Sequence, residues 1–423
     1  MKYLFVACLL CLSVLSAVAK VPAMNKIRLT NNWEYLKGDL GGIWEAVRPA
    51  APGSSEAVPI WQPVTLPHCF NAEDAVDPDV NYYEGPGWYK TLLAIDNPYR
   101  NGRIVLDFDG AGQKTDVYVY TTHVGSHVGG YDSWNVDITD AVKAFLGSKD
   151  AERFKGKVPL SIRCDNSRDL EMIPSDLADF NIYGGLYRYL NLVYLPEVSF
   201  EQIRLESSLS SNLKEGILKV KTSFYNPEDI RKADVTVSVY DVDRKPVFSK
   251  TLEGILPLGD QLLAEMKIKN PVLWDVDVPQ LYTCELTVKT PDQTFTTEER
   301  FGFRHTEFKD KGPFFLNGKR LLLRGTHRHE DHAGVAQAMT EDMMRREMRM
   351  MKDMGVNFIR LGHYQQSEII LDLCDELGIL VWEEIPWCRG GLGGDVYKKQ
   401  ARRMLANMIV QHHNHPAVII WGL

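Results

Sequence analysis

Positive charge is in deficit: 48 lysines and arginines stand against 56 aspartates and glutamates, a net charge of −8. That balance gives no support to nucleic-acid or anionic-membrane binding, both of which need clustered cations. Long apolar runs are missing from the interior of the 423-residue chain, so no internal membrane span is expected. No Cys-x-x-Cys pair occurs after residue 19, which argues against a zinc site of that type. No Gly-x-Gly-x-x-Gly carries a strand into a helix, and no phosphate loop or Gly-x-Ser-x-Gly nucleophile elbow is present. No internal repeat of ~20–50 residues is evident.

What is there begins with an export signal. Lys2 precedes the apolar run Tyr3 to Leu15, and Ala17-Val18-Ala19 is a small-residue cleavage site. Residues 1–19 are therefore expected to be a signal peptide, and the mature protein to be periplasmic or secreted, with no membrane attachment. Cleavage removes Cys8 and Cys11. Cys69, Cys164, Cys284, Cys374 and Cys388 remain, an odd and widely spaced set that is no disulfide framework.

The hydrophobic pattern changes near residue 304. Before it, short alternating runs such as Val117 to Tyr120 and Val235 to Tyr240 are separated by turn residues, which predicts antiparallel sandwiches. A division at Tyr194-Leu195-Pro196-Glu197 gives a first sandwich over 20–196 and a second, of immunoglobulin-like length, over 197–303. From 304 to 423 strands alternate with helices. Strands are predicted at Arg320 to Gly325, Asn357 to Leu361, Ile379 to Trp382 and Val418 to Trp421. Helices are predicted after the caps Thr340 and Ser367, and from Val396 to His412. This is the order of half a (β/α)8 barrel.

In such a barrel the site lies at the C-terminal strand ends. These ends carry His327-Arg328-His329-Glu330-Asp331-His332, then Arg360, Gly362, His363 and Tyr364, then Glu383-Glu384. The histidines fit a metal cluster, a set of sugar-hydroxyl partners, or a satisfied loop. Glu383 and Glu384 are adjacent on a strand, so they point to opposite sides, one toward the site and one away. Arg360 inside a strand demands a carboxylate partner.

Several motifs together resemble glycoside hydrolase family 2. They are Leu66-Pro67-His68, Gly85-Pro86-Gly87-Trp88-Tyr89, Gly184-Gly185-Leu186-Tyr187-Arg188, Asn357 through Tyr364, and Asn414 through Gly422. Gln365 replaces the Pro usual in the family. The resemblance implies a jelly-roll β-sandwich, an immunoglobulin-like β-sandwich and the first half of a TIM barrel. It implies a retaining exo-glycosidase acting on terminal β-linked sugars, with β-galactosidase the expected activity. β-Glucuronidase and β-mannosidase are the alternatives within the family, and a non-catalytic carbohydrate-binding protein the alternative outside it. By motif position Asp179, His329 and His363 are implied to contact sugar, Arg360 to orient the nucleophile, and Glu384 to support it. Both catalytic glutamates of the family fall beyond Leu423, so the 423 residues alone are expected to be inactive. Cys388 stands where some β-galactosidases carry a magnesium-ligating Glu, and neither metal nor cofactor is expected. A carbohydrate is the expected partner, with a homo-oligomer left open.

Overall fold

A computed structural model of the protein describes residues 25–49, 59–175, 178–227, 232–389 and 392–423. The expected signal peptide lies outside the described residues. Among the described residues no helix is long and apolar enough to cross a membrane.

Alternating side chains build the first two layers. In Lys114–Val119 every second residue is buried, and Glu215–Tyr225 repeats the pattern over its whole length. Such strands must hide one face. In the first sandwich a six-stranded sheet centred on Pro86–Leu93 and Val158–Asp165 packs against a four-stranded sheet centred on Leu190–Leu195 and Arg103–Phe108. Tyr89, Leu106, Phe108 and Leu160 fill the space between. A second sandwich sets a three-stranded sheet, Ser199–Leu209, Glu215–Tyr225 and Gly259–Lys269, against a four-stranded one that includes Ala233–Tyr240 and Tyr282–Lys289.

The remaining chain forms a parallel four-stranded sheet of TIM-barrel type, whose labels follow chain order. β1 is Gly325–Arg328, α1 Glu341–Asp353, β2 Phe358–Leu361, α2 Glu368–Leu377, β3 Leu380–Glu384, α3 Asp395–His412 and β4 Val418–Gly422. Met344 and Met348 are buried in the core under this sheet, as their helical spacing demands. Thr340 caps α1 by accepting from the Met343 amide, and Ser367 caps α2 through the Ile369 amide.

β1 starts later than its sequence predicts. Lys319–Arg320 folds back as a hairpin on Phe314–Leu316. The Asn357 side chain then takes up the intervening backbone: its Oδ1 accepts from the Arg324 amide at 2.7 Å and its Nδ2 donates to the Leu322 carbonyl at 3.0 Å. Regular pairing with β2 therefore begins only at Gly325.

The three layers are pinned together by polar contacts. Asn414 bonds the backbone of Ile203 and Leu205 in the second sandwich. Trp274 donates to the Asp375 carbonyl at 2.9 Å. From the first sandwich, Glu171 accepts the Gly394 and Tyr397 amides at 2.7 and 3.0 Å, so a residue of another domain caps the N-terminus of α3.

Candidate active site

Parallel pairing places His327, Arg360 and Trp382 side by side across β1, β2 and β3. Arg360 is the hub. Its Nε donates to Glu384 Oε2 at 3.2 Å and its Nη2 to Glu384 Oε1. Nη1 lies 3.0 Å from His327 Nδ1 and Nη2 2.9 Å from His363 Nδ1. The forked guanidinium can hold one carboxylate and two imidazoles at once, which an ammonium cannot. Trp382 lies beneath it, 5.4 Å from the guanidinium carbon to the ring centre.

The two adjacent glutamates separate as strand geometry requires. Glu384 faces the mouth with Arg360. Glu383 points the other way, fully buried, and meets His412 Nδ1 of α3 at 2.8 Å. It belongs to the packing behind the sheet.

A loop of the first sandwich closes the other side of the mouth. Phe180 lies parallel to the His363 ring at 5.8 Å and touches His329 and Tyr364 at 6.1 and 5.3 Å. Burial, with His363 and His327 close by, holds His329 below its usual 6.5 against the pull of Asp331 and Asp179. A neutral imidazole offers one donor and one acceptor to a hydroxyl. Next to Phe180, Asp179 accepts from the Cys388 thiol at 2.9 Å and forms an ion pair with Arg389 Nε at 2.9 Å. The thiol contact, then the Arg389 charge, keep its carboxyl below the ordinary range. Burial and Asp179 raise the Cys388 thiol, so it stays a donor at neutral pH. The structure thus gathers Arg360, His363 and Glu384 into one bonded set, with His329 and Asp179 on its rim.

Sequence reasoning placed His327 at this strand end without its Arg360 contact, and missed Phe180 and the main brace of the mouth. Arg188 is 2% exposed and Glu330 0%, and they pair at 2.8 Å. Arg188 also donates to the carbonyls of Tyr131 and Gln365, while Glu330 accepts the Ser367 amide. Arg188 ends the Gly184-Gly185 motif and Glu330 ends His327-Arg328-His329, so the signal was two recognised motifs with no reason yet to meet.

Among the described residues, two groups bring three metal-type donors together: Asp179 with His363 and Cys388, and Asp372 with Asp375 and His415. In the first, Arg389 and Arg360 already hold Asp179 and His363. In the second, Asp375 pairs with His415 at 2.7 Å and Asp372 with Arg300 at 2.6 Å. The histidine run His327 to His332 does not converge on one point: His327 turns to Arg360, and His332 Nδ1 to the Ala333 carbonyl.

Three family models match in succession: the sugar binding domain of glycosyl hydrolases family 2 over residues 40–196, the family 2 domain over 198–304, and the family 2 TIM barrel domain over 307–423. The chain belongs to glycoside hydrolase family 2. A crystal structure of Parabacteroides merdae β-glucuronidase (GUS) is 99% identical, with a TM-score of 0.93 over 94% of this chain and 50% of that one. Bacteroides uniformis β-glucuronidase 3 is 59% identical, with a TM-score of 0.90 over 95% of this chain and 51% of that one. A putative β-glucuronidase of Formosa agariphila is 38% identical over 94% of this chain and 46% of its own length. The chain thus spans about half the length of these relatives. The expectation of a β-galactosidase is corrected by them, above all by the near-identical glucuronidase. Its physical reason is that none of the motif residues behind the resemblance identifies the configuration at the fourth carbon or the group on the sixth, where the two sugars differ.

Proposed function

We propose that the protein is a retaining exo-β-glucuronidase, releasing glucuronic acid from β-glucuronides. The observation that carries this reading is the 99% identity with a β-glucuronidase over 94% of the chain. The geometry supports a sugar at the mouth, with His329 and Asp179 as hydroxyl partners and Phe180 as an apolar wall. Retaining hydrolysis uses two carboxyl groups ~5–5.5 Å apart. One protonates the glycosidic oxygen while the other attacks the anomeric carbon and the leaving group departs. Water then attacks the anomeric carbon, giving its proton to the first group while the bond to the second carboxylate breaks and frees it. Both carboxyls are assigned to family positions outside these residues. Within the chain, Arg360 is a positioning residue, fixed by Glu384 and presenting its charge beside the nucleophile's place, which keeps that carboxylate ionised.

The test is hydrolysis of nitrophenyl β-glycosides by the complete protein that carries this chain. The β-glucuronide is expected to exceed the β-galactoside in kcat/KM by about 100-fold or more, since a site built for a charged group rejects an analogue lacking it. Preference for the galactoside would overturn the reading. We further propose export, on the strength of Lys2, the apolar run and Ala17-Val18-Ala19. Mass spectrometry of the mature protein should find Lys20 as its first residue.

A further inference from the structure

One loop of the first sandwich, residues 179–183, meets the barrel at the ends of β1, β2 and β3. After β1, Asp331 Oδ2 accepts from the Tyr183 hydroxyl at 3.2 Å, and that hydroxyl accepts from Asn181 at 3.2 Å. After β2, Phe180 lies parallel to the His363 ring and meets Tyr364 at 5.3 Å. After β3, the Cys388 thiol and Arg389 take Asp179. Asp179 thus comes from one domain, while His329 and His363 come from another. Its carboxylate can share a sugar with them only where contacts across the domain boundary fix it.

The two contacts on Asp179 differ in kind. Cys388 Sγ lies 2.9 Å from Oδ1, and Arg389 Nε 2.9 Å from Oδ2. The Arg389 side chain is 75% exposed, so its ion pair is screened by water and held on a flexible stem. Cys388 is half-buried, and its short side chain turns about a single bond. Burial and the neighbouring Asp179 raise its thiol, which keeps its proton at neutral pH. The firmer of the two contacts is therefore the thiol.

A carboxylate offers about four lone-pair sites. One site on each oxygen is used, which leaves one on each for a hydroxyl. A thiol is also a weak donor. It can set the direction of the carboxylate without drawing off the charge that a sugar hydroxyl seeks in its acceptor. A second cation in its place would compete for that charge.

We propose that Cys388 is a positioning residue for substrate recognition, its thiol proton orienting Asp179 of the first sandwich toward a hydroxyl of the sugar at the barrel mouth. It acts through Asp179 and touches no reacting atom. The inference rests on the glucuronidase reading and adds to it the group that fixes a sugar contact across the domain boundary. A double-mutant cycle in the complete protein, on nitrophenyl β-glucuronide, tests it. Cys388→Ala is expected to lower kcat/KM about tenfold, chiefly through KM. Cys388→Ser keeps a short donor and is expected to stay within about threefold of wild type. Asp179→Ala should lower kcat/KM about 100-fold, and adding Cys388→Ala to it should change the value by no more than about twofold, because the partner is already gone. The denaturation midpoint of each Cys388 variant should stay with that of wild type. A further tenfold loss in the double variant, about as large as the single loss, would make Cys388 merely structural and overturn the inference. So would an unchanged KM in Cys388→Ala, a Ser variant as impaired as the Ala variant, or a lowered midpoint that accounts for the loss. Full activity of Asp179→Ala would remove Asp179 from the sugar contacts, and the role of Cys388 with it. Failure of the wild type on this substrate instead removes the glucuronidase reading, and the inference falls with that reading.

Discussion

Arg360 shows how much of the mouth one side chain organises. Its fork meets Glu384 twice and two imidazoles besides. Arg360→Lys keeps the charge and loses the fork, so kcat of the complete enzyme is expected to drop about 100-fold, with a smaller change in KM. Kinetics on nitrophenyl β-glucuronide read this directly; an unchanged kcat would remove Arg360 from its positioning role. Arg188 acts at the same scale on stability. Arg188→Ala leaves Glu330 charged, buried and unpaired, which is expected to cost about 3–5 kcal/mol by chemical denaturation. The double change Arg188→Met with Glu330→Leu should recover much of that loss. Arg360 was legible as a site residue because a cation within a strand needs an explanation. The Arg188–Glu330 pair was not, because its members are 142 residues apart and meet only when two domains dock. The sugar itself was misread because no motif residue reports the carboxylate by which a glucuronide differs from a galactoside.

Individual elements were legible where periodicity and caps agreed. The helix after Thr340 and the one closed by Gly378 follow their sequence signals closely. β1 was displaced because Asn357 bonds the backbone of 322 and 324, a side-chain-to-backbone contact that hydrophobic patterning does not register. Gly378 has two reasons to be glycine. Its φ is +67°, and a Cβ there would lie 2.4 Å from the Val276 carbonyl of the second sandwich. Gly378→Ala is expected to lose about 1–2 kcal/mol from the left-handed conformation alone, and more from the collision. A denaturation midpoint within error of wild type would contradict that account.

Across the whole molecule, the junction between barrel and second sandwich is expected to respond to pH through His415. His415 is buried, which lowers its pKa, but the charge and hydrogen bond of Asp375, with Asp372 and Glu368 nearby, raise it to about 9. A histidine raised above its unfolded value of 6.5 contributes stability that is fully present below about 6.5 and lost as the pH climbs through about 9. The unfolding midpoint of the wild type should therefore fall between pH 7 and 9.5 more steeply than that of His415→Gln. Parallel curves would argue against a charged His415. The same docking has a temporal side, seen in Glu171. This carboxylate seals the first turn of α3 through amides more than 220 residues downstream. A ribosome delivers the carboxylate well before the helix it completes. The sandwich made first is then available as a surface on which α3 can form, and Glu171→Ala is expected to slow the recovery of helical signal on refolding.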